Sequence, residues 1–191
     1  MKATKEGLRW TLRAETEVAH QRLDDFISQV DIATRHGLSC YLLGNAGAHR
    51  ALQPFDDAFA GHIDRRLTVL AADAREIGLA LPAAGPALAP LDWDEAVGYR
   101  YVLAGSAMGS RLLARRHGRA TDPDVRRAHR FVGDDALMAL WRDVQLELDA
   151  LPDHGPQAMA AVRGANACFT LFSRCFERAF ADLTAAVNVS A

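Results

Sequence analysis

The sequence predicts an all-α fold: a single compact multi-helix domain of about six to eight helices. Apolar residues recur at intervals of three and four along almost the whole chain, as they do on the buried face of an amphipathic helix. No run shows the alternating pattern, rich in Val, Ile and Thr, that is typical of a strand. The chain has 191 residues, which suits one domain over residues 1–191 with its own core.

The first helix is predicted over residues 5–33. Its core-facing stripe consists of apolar residues at helical spacing: Leu12, Ala19, Leu23 and Ile27. Gly37 is expected in the break that follows, and Ser39 is a suitable N-cap for a second helix. That helical pattern continues over residues 42–63 and contains Pro54, which should kink or split it.

A shorter helix is predicted over residues 64–78, and the proline- and glycine-rich residues 78–91 predict a surface connection. Asp92 and Glu95 form a capping-box-like start, worth about 1 kcal/mol for the cap itself. The helix that they begin should end at Gly118. Two further helices are predicted, separated by the breaking sequence PDHGP: residues 123–151 and 157–186.

Composition narrows the classes of function. The formal net charge of −2 gives no support to nucleic-acid or membrane-surface binding. The charged N-terminus has no apolar signal segment and no apolar run is long enough for a membrane span, so we expect a cytoplasmic protein. The cysteines are odd in number and without CxxC spacing, so buried small side chains are expected: Cys40, Cys168 and Cys175.

The first candidate site lies beside the apolar stripe of the first helix. His20 is followed one turn later by Asp24, which can reach Nδ1 of the imidazole or the nearby solvent. A carboxylate on one ring nitrogen is the arrangement that metal-ligating histidines generally have. Arg13 lies on nearly the same face, about 10 Å away along the helix. The alternative is a histidine that bonds Asp24 and has a structural role only.

The second candidate is GSAMGS, residues 105–110, in the middle of a predicted helix. Gly105 and Gly109 share one face, and each costs about 1 kcal/mol relative to alanine inside a helix. Either another helix approaches closely there or a flat ligand lies against the bare backbone. Ser106 and Ser110 can bond backbone carbonyls and bend the helix, or hold water.

Other polar segments give weaker indications. The arginine-rich residues 111–131 are interpreted as a solvated helix end, with a docking surface for an acidic redox partner as the alternative. Arg142, beside Trp141, is a second arginine that could face a ligand. The remaining histidines show no ligand spacing and are expected to be exposed or hydrogen-bonded: His36, His49, His62, His117, His129 and His154.

Together these segments resemble the heme oxygenase family, and specifically its bacterial branch that supplies biliverdin to bacteriophytochromes. LRAETEVAHQRLD, residues 12–24, resembles the proximal helix of the family. YVLAGSAMGSRLLARR, residues 101–116, resembles its glycine-rich distal helix. LWRD and ACFTLFSRCF, residues 140–143 and 167–176, resemble its C-terminal helices. The resemblance implies a heme held between the proximal N-terminal helix and a kinked distal helix.

The resemblance also implies roles for individual residues. His20 would be the proximal iron ligand, with Thr16 one turn before it and Asp24 as an acidic neighbour. Arg13 and Arg142 would pair with the heme propionates. The distal backbone would approach the heme at Gly105 and Gly109, and two aromatic side chains would line the pocket: Tyr101 and Phe169.

The implied reaction cleaves heme to biliverdin, carbon monoxide and iron, with O₂ and electrons from an external ferredoxin or flavoprotein reductase. Two positions depart from the commonest family pattern. Ser110 stands where the family usually has a second glycine and could crowd the distal face. Ser106 stands where some members of the family carry an aspartate, and serine there is a feature of the bacterial branch. Two alternatives therefore stay open: a heme-binding or storage protein on the same scaffold, and an all-α interaction module without heme.

Overall fold

The computed structural model describes residues 7–189, and within them it contains only helices and connecting segments. The all-α prediction is confirmed. The α-helices are α1 (Leu8–Glu15), α2 (Glu17–Gln29), α3 (Arg35–Leu52), α4 (His62–Glu76), α5 (Trp93–Gly105), α6 (Ala107–His117), α7 (Pro123–Arg127), α8 (Ala136–Ala150) and α9 (Pro156–Val189). A short 3₁₀ helix, Gln53–Phe59, joins α3 to α4. The predicted start of the first helix, Lys5, lies outside the described residues.

Helix α9 is the central element, and it packs most extensively against α5 and α3. Two glycines allow the backbones of α5 and α9 to touch. A Cβ atom on Gly98 would lie 1.9 Å from the carbonyl oxygen of Ala161, and one on Gly164 would lie 2.1 Å from that of Glu95. No side chain fits at either position, so this contact requires glycine on both helices.

The predicted start of the second helix was wrong. Thr34 is the N-cap of α3, and its hydroxyl accepts a hydrogen bond from the N–H of Gly37 at 3.1 Å. Ser39 lies inside the helix and is buried. Gly37 belongs to the first turn of α3 and not to a break. A Cβ atom on Gly37 would lie 2.0 Å from the carbonyl oxygen of Asp31, so glycine is needed where α3 passes close to the backbone that precedes it.

Local signals predicted other boundaries correctly. Helix α3 ends at Leu52, two residues before Pro54, and residues 79–91 form the expected connection. The carboxylate of Asp92 accepts from the N–H of Glu95 at 2.7 Å and caps α5. The helix predicted over 123–151 is instead divided into α7 and α8.

The division between α7 and α8 has a tertiary cause. The side chain of Asp73 on α4 is almost fully buried and accepts hydrogen bonds from two backbone N–H groups, those of Arg130 at 3.1 Å and Phe131 at 2.8 Å. A buried carboxylate is stable only when such donors satisfy it. These contacts stabilise residues 128–135 in a non-helical path that their own sequence does not indicate.

The core also contains polar groups that satisfy one another. His49 is 1% exposed; its Nδ1 lies 2.8 Å from the carbonyl oxygen of Asn45, and its Nε2 accepts from Arg66 at 3.0 Å. Burial, and then the charge of Arg66, lower the pKa of His49 to about 3. The three cysteines are free and buried, as predicted, and burial raises the pKa of Cys40 to about 11.

No helix among residues 7–189 combines the length and the apolar content that a membrane span needs.

Candidate functional site

The predicted first helix is interrupted at Thr16, one turn before the candidate histidine. The buried Thr16 hydroxyl donates to the carbonyl oxygen of Leu12 at 2.7 Å, and the backbone at Thr16 leaves helical geometry with φ −111° and ψ 1°. A threonine that bonds back to the preceding turn bends a helix in this way. Helix α2 therefore begins in a new direction at Glu17, and His20 lies in its first turn.

The imidazole of His20 is exposed and available to a ligand. Its side chain is 60% accessible, and its ring packs on Phe169 of α9 with the centroids 5.5 Å apart. Nε2, rather than the expected Nδ1, lies 3.4 Å from the carboxylate of Asp24. Because both side chains are exposed, this pair contributes little to stability, and a turn of the ring would exchange the two nitrogens.

The glycine-rich segment forms a second interruption, between α5 and α6. The Ser106 hydroxyl donates to the carbonyl oxygen of Leu103 at 2.7 Å, and the Ser110 hydroxyl donates to that of Ser106 at 3.2 Å. Both hydroxyls are therefore used by the backbone, in agreement with the first of the two interpretations offered for them. The helix predicted to run unbroken to Gly118 divides at Ser106.

Close helix packing does not account for the two glycines of this segment. A Cβ atom on Gly105 would make only an ordinary contact, 3.7 Å from the Trp141 ring. One on Gly109 would meet no described atom within 4 Å. The space beside the α6 backbone at Gly109 is therefore open.

Two contacts join the interrupted helix pair α1–α2 to the interrupted helix pair α5–α6, one before the two interruptions or at them and one after. At the first contact, the Tyr101 ring of α5 packs on Trp141, with the ring centroids 5.9 Å apart, and its phenol lies near Thr16. Burial raises the pKa of Tyr101, and the nearby Thr16 hydroxyl and Arg13 partly oppose that rise. At the second contact, the Arg116 guanidinium donates to carbonyl oxygens at the end of α2.

The two contacts enclose unequal lengths of chain. Thr16 and Ile27 are eleven residues apart, about 17 Å of helix, whereas Tyr101 and Arg116 are fifteen apart, about 23 Å. The longer path bends at Ser106. From these lengths we infer a space between α2 and α6, which we call the α2–α6 cleft; we place His20 on its α2 side and the backbone from Gly105 to Gly109 on its other side.

The face of α6 that borders the cleft can be identified from its spacing. Gly109, Leu112 and Arg116 lie at i, i+3 and i+7, which is one face of a helix. Since Arg116 reaches α2, this face is turned toward α2. Leu112 is 62% exposed, so the cleft has an uncovered apolar side chain beside its bare backbone.

The two predicted arginines are exposed. Neither Arg13 nor Arg142 forms an ion pair with another residue of the described chain. The Arg13 guanidinium lies 6.0 Å from the Trp10 ring, and Arg142 follows Trp141 on α8. The charge of Arg13 acts on the Tyr101 phenol, so Arg13 lies near Tyr101. Arg142 is the chain neighbour of Trp141, whose ring packs on Tyr101.

The arginine-rich residues 111–131 are only in part a solvated helix end. Arg116 bonds α2, Arg127 pairs with Glu76 at 3.3 Å, and Arg130 pairs with Glu76 at 3.0 Å. The role of Arg116 was missed by the sequence analysis. The sequence did contain one signal for this role: Arg116 lies seven residues after Gly109, which places both on one face of a helix. Within residues 7–189 no group of three or more His, Cys, Asp or Glu side chains could hold a metal ion.

Comparison with known proteins identifies the fold. No protein-family model and no curated protein matches the chain. A crystal structure of the NO- and CO-bound heme oxygenase from Neisseria meningitidis has the same fold, with a TM-score of 0.67 over 92% of both chains. The two sequences are 18% identical, so the likeness concerns the fold. The chain therefore has a heme oxygenase-like fold, as its sequence motifs predicted.

Proposed function

We propose that the chain binds heme in the α2–α6 cleft and cleaves it to biliverdin, carbon monoxide and iron. The observation that carries this proposal is an exposed imidazole at His20 together with open backbone at Gly109, where a Cβ atom would meet nothing within 4 Å. A flat ligand can lie close against bare backbone, and an imidazole is one of the side chains that hold heme iron. The heme oxygenase-like fold supports the same proposal.

The residues around the cleft fit such a ligand. His20 would coordinate the iron, Asp24 would orient the imidazole, and Phe169 would support the ring from α9. Arg13 and Arg142 are free of ion pairs within the described chain and would hold the two propionates. Thr16 and Tyr101 would border the same end of the cleft. One domain over residues 1–191 would carry the whole site.

Heme supplies the chemistry of oxygen binding and ring oxidation, with electrons delivered from outside the chain. The chain contributes shape and exclusion. The backbone at Gly105 of α5 and Gly109 of α6 carries no side chain and would let a flat ring approach closely. Ser106 donates to Leu103, so its hydroxyl shapes the bend and does not point a free proton into the cleft.

Ser110 gave reason to doubt turnover, and its position favours the enzyme over a storage protein. Its hydroxyl is directed at the carbonyl oxygen of Ser106 on its own helix. Ser110 follows Gly109 by 100° around the helix axis, on the side toward the core. The serine side chain therefore leaves the face that borders the cleft uncrowded.

The partners follow from the reaction proposed. Oxidation of the ring needs an external electron donor, for which we propose a ferredoxin or a flavoprotein reductase. The resemblance to the bacterial branch makes a bacteriophytochrome the proposed biliverdin acceptor, and the cytoplasm the proposed location. No nucleic-acid or membrane partner is proposed.

The ligand assignment is tested with His20→Ala, using His154→Ala as the matched control because His154 is also exposed, with 91% of its side chain accessible. Hemin is titrated into each protein and the Soret band recorded. We expect the wild-type and control spectra to agree, and the His20→Ala spectrum to lose the signature of imidazole ligation. An unchanged spectrum in His20→Ala would exclude this histidine as the iron ligand.

A further inference from the structure

Arg116 is the only polar side chain of the described α6 that reaches the far side of the cleft. Its Nη2 donates to the carbonyl oxygens of Ser28 at 3.1 Å and Val30 at 2.7 Å, and its Nη1 donates to that of Ile27 at 3.5 Å. All three acceptors belong to the end of α2. One guanidinium thus spans the terminus of the helix that carries His20.

The end of α2 needs such a partner. The last carbonyl groups of a helix receive no hydrogen bond from the helix itself, and together they carry a partial negative charge. Helix α2 has no basic residue in its own last turn. Arg116 supplies both the missing donors and the missing positive charge from another helix, so the contact stabilises α2 and α6 together.

Little else holds α6 at this distance from α2. Its first turn begins at the bend at Ser106, and two large apolar side chains on its surface, Met108 and Leu112, are 60% and 62% exposed. Its buried side packs on α5 and α8. His117 continues the attachment toward α7, with Nε2 2.8 Å from the carbonyl oxygen of Val125.

We propose that Arg116 is a positioning residue that sets the width of the α2–α6 cleft. It lies seven residues after Gly109, and its acceptor Ile27 lies seven residues after His20. The contact is therefore about 10 Å along α2 from His20 and about 10 Å along α6 from Gly109. Without it, α6 pivots at Ser106 and the cleft widens. The assignment to ligand binding rests on the proposed function, whereas the mechanical role does not.

The test uses hydrogen–deuterium exchange of the ligand-free protein with Arg116→Met. Arg115→Met is the matched control, because Arg115 is the adjacent arginine, is exposed and has no ion pair within the described chain. We expect Arg116→Met to exchange about tenfold faster in two segments, residues 24–31 and 107–117, since both lose a charge-assisted contact. Arg115→Met should exchange at the wild-type rate in both.

Two results would overturn the proposal. Faster exchange in residues 24–31 alone would make Arg116 a cap for α2 that leaves α6 in place, and unchanged exchange in both segments would remove its role altogether. If Arg116→Met does not fold, Arg116→Lys decides by the same criteria, because an ammonium cannot bridge all three carbonyls at once.

Hemin binding then separates this proposal from the proposed function. We expect hemin to dissociate about tenfold faster from Arg116→Met than from Arg115→Met. Absence of hemin binding to the wild-type chain would contradict the proposed function and leave the exchange result standing. Unchanged dissociation with faster exchange in both segments would show that the width of the cleft does not control the ligand, and would overturn that part of the proposal.

Discussion

Two pairs of helices in this molecule carry glycines at the surface where they face each other, and the glycines do opposite things. Between α5 and α9, a Cβ on Gly98 or Gly164 would lie about 2 Å from backbone atoms, so the helices are in contact. Across the α2–α6 cleft, Gly109 faces open space. The same residue type therefore brings two helices together in one place and leaves room in the other.

The difference shows which glycines need a ligand as their explanation. Gly98 and Gly164 are explained by packing within the chain. Gly109 costs stability as a helical glycine and gains no contact in return. Such a cost without a structural benefit is typical of functional positions, where local rules are broken for the site.

The largest effect is expected from adding a side chain where the backbones of α5 and α9 already touch. Gly98→Ala should reduce the free energy of unfolding by about 3 kcal/mol or more, because its Cβ would overlap the carbonyl oxygen of Ala161. Gly118→Ala is the control, since its Cβ would make an ordinary contact at 3.5 Å. Urea unfolding measures both. Equal stability in the two variants would mean that α5 and α9 are not in backbone contact.

A second prediction contrasts two histidines, the buried His49 of the core and the exposed His154. The unfolded chain binds a proton at His49 near pH 6.5, whereas the folded chain resists it down to about pH 3. Protonation therefore favours unfolding, and stability present above pH 6.5 is lost as the pH falls. Urea unfolding between pH 7 and pH 5 should show this loss.

The loss should be smaller in His49→Gln, which keeps an acceptor for Arg66 but does not titrate. The exposed His154 provides the control, because His154→Gln should lose stability as the wild type does. The window above pH 5 excludes most of the contribution of the carboxylates. A wild-type stability that is constant from pH 7 to pH 5 would contradict the burial of a neutral His49.

The third prediction concerns the open side of the comparison. Gly109→Ala should stabilise the ligand-free protein by about 1 kcal/mol, since alanine is the better helix former and has room. The same methyl group should weaken hemin binding about tenfold, because it occupies the face on which the ring would lie. Thermal unfolding and a Soret titration measure the two effects. Weaker hemin binding without added stability would contradict the open space at Gly109. Added stability with unchanged hemin binding would contradict a ring lying on this face.

The smallest effect is expected at the edge of the cleft. Replacing Arg13 or Arg142 with alanine should weaken hemin binding about fivefold in each case, because each exposed guanidinium would lose a carboxylate partner. Arg115→Ala, which removes an exposed arginine on the outer side of α6, should bind hemin as the wild type does. Wild-type affinity in both Arg13→Ala and Arg142→Ala would count against propionate pairing.

Much of the fold was predictable because its signals are local. Pro54 ends α3 through its own geometry, and Asp92 caps α5 through a neighbour three residues away. The break between α7 and α8 was not predictable, because it depends on Asp73, more than fifty residues earlier. The Gly37 and Ser39 predictions failed for a different reason, because a nearby residue, Thr34, caps α3 five residues before the expected cap.

In the candidate site, too, the sequence predicted the local pairings and missed the contacts between distant parts of the chain. The pairing of His20 with Asp24 follows from helical spacing, and the structure places the two side chains 3.4 Å apart. The separate behaviour of Gly98 and Gly109 could not be predicted from the sequence, because it depends on which distant element packs beside each glycine. Arg116 was interpreted as part of a solvated end, and only the tertiary structure brings it to α2.

The measurement that tests the central claim most directly is an optical titration of the wild-type protein with hemin, followed by reduction in air with ascorbate or a ferredoxin system. We predict a Soret band that forms and then gives way to the red absorption of biliverdin. A Soret band that persists would contradict the oxygenase activity and indicate a heme-binding protein. No Soret shift at all would contradict the α2–α6 cleft as a heme site.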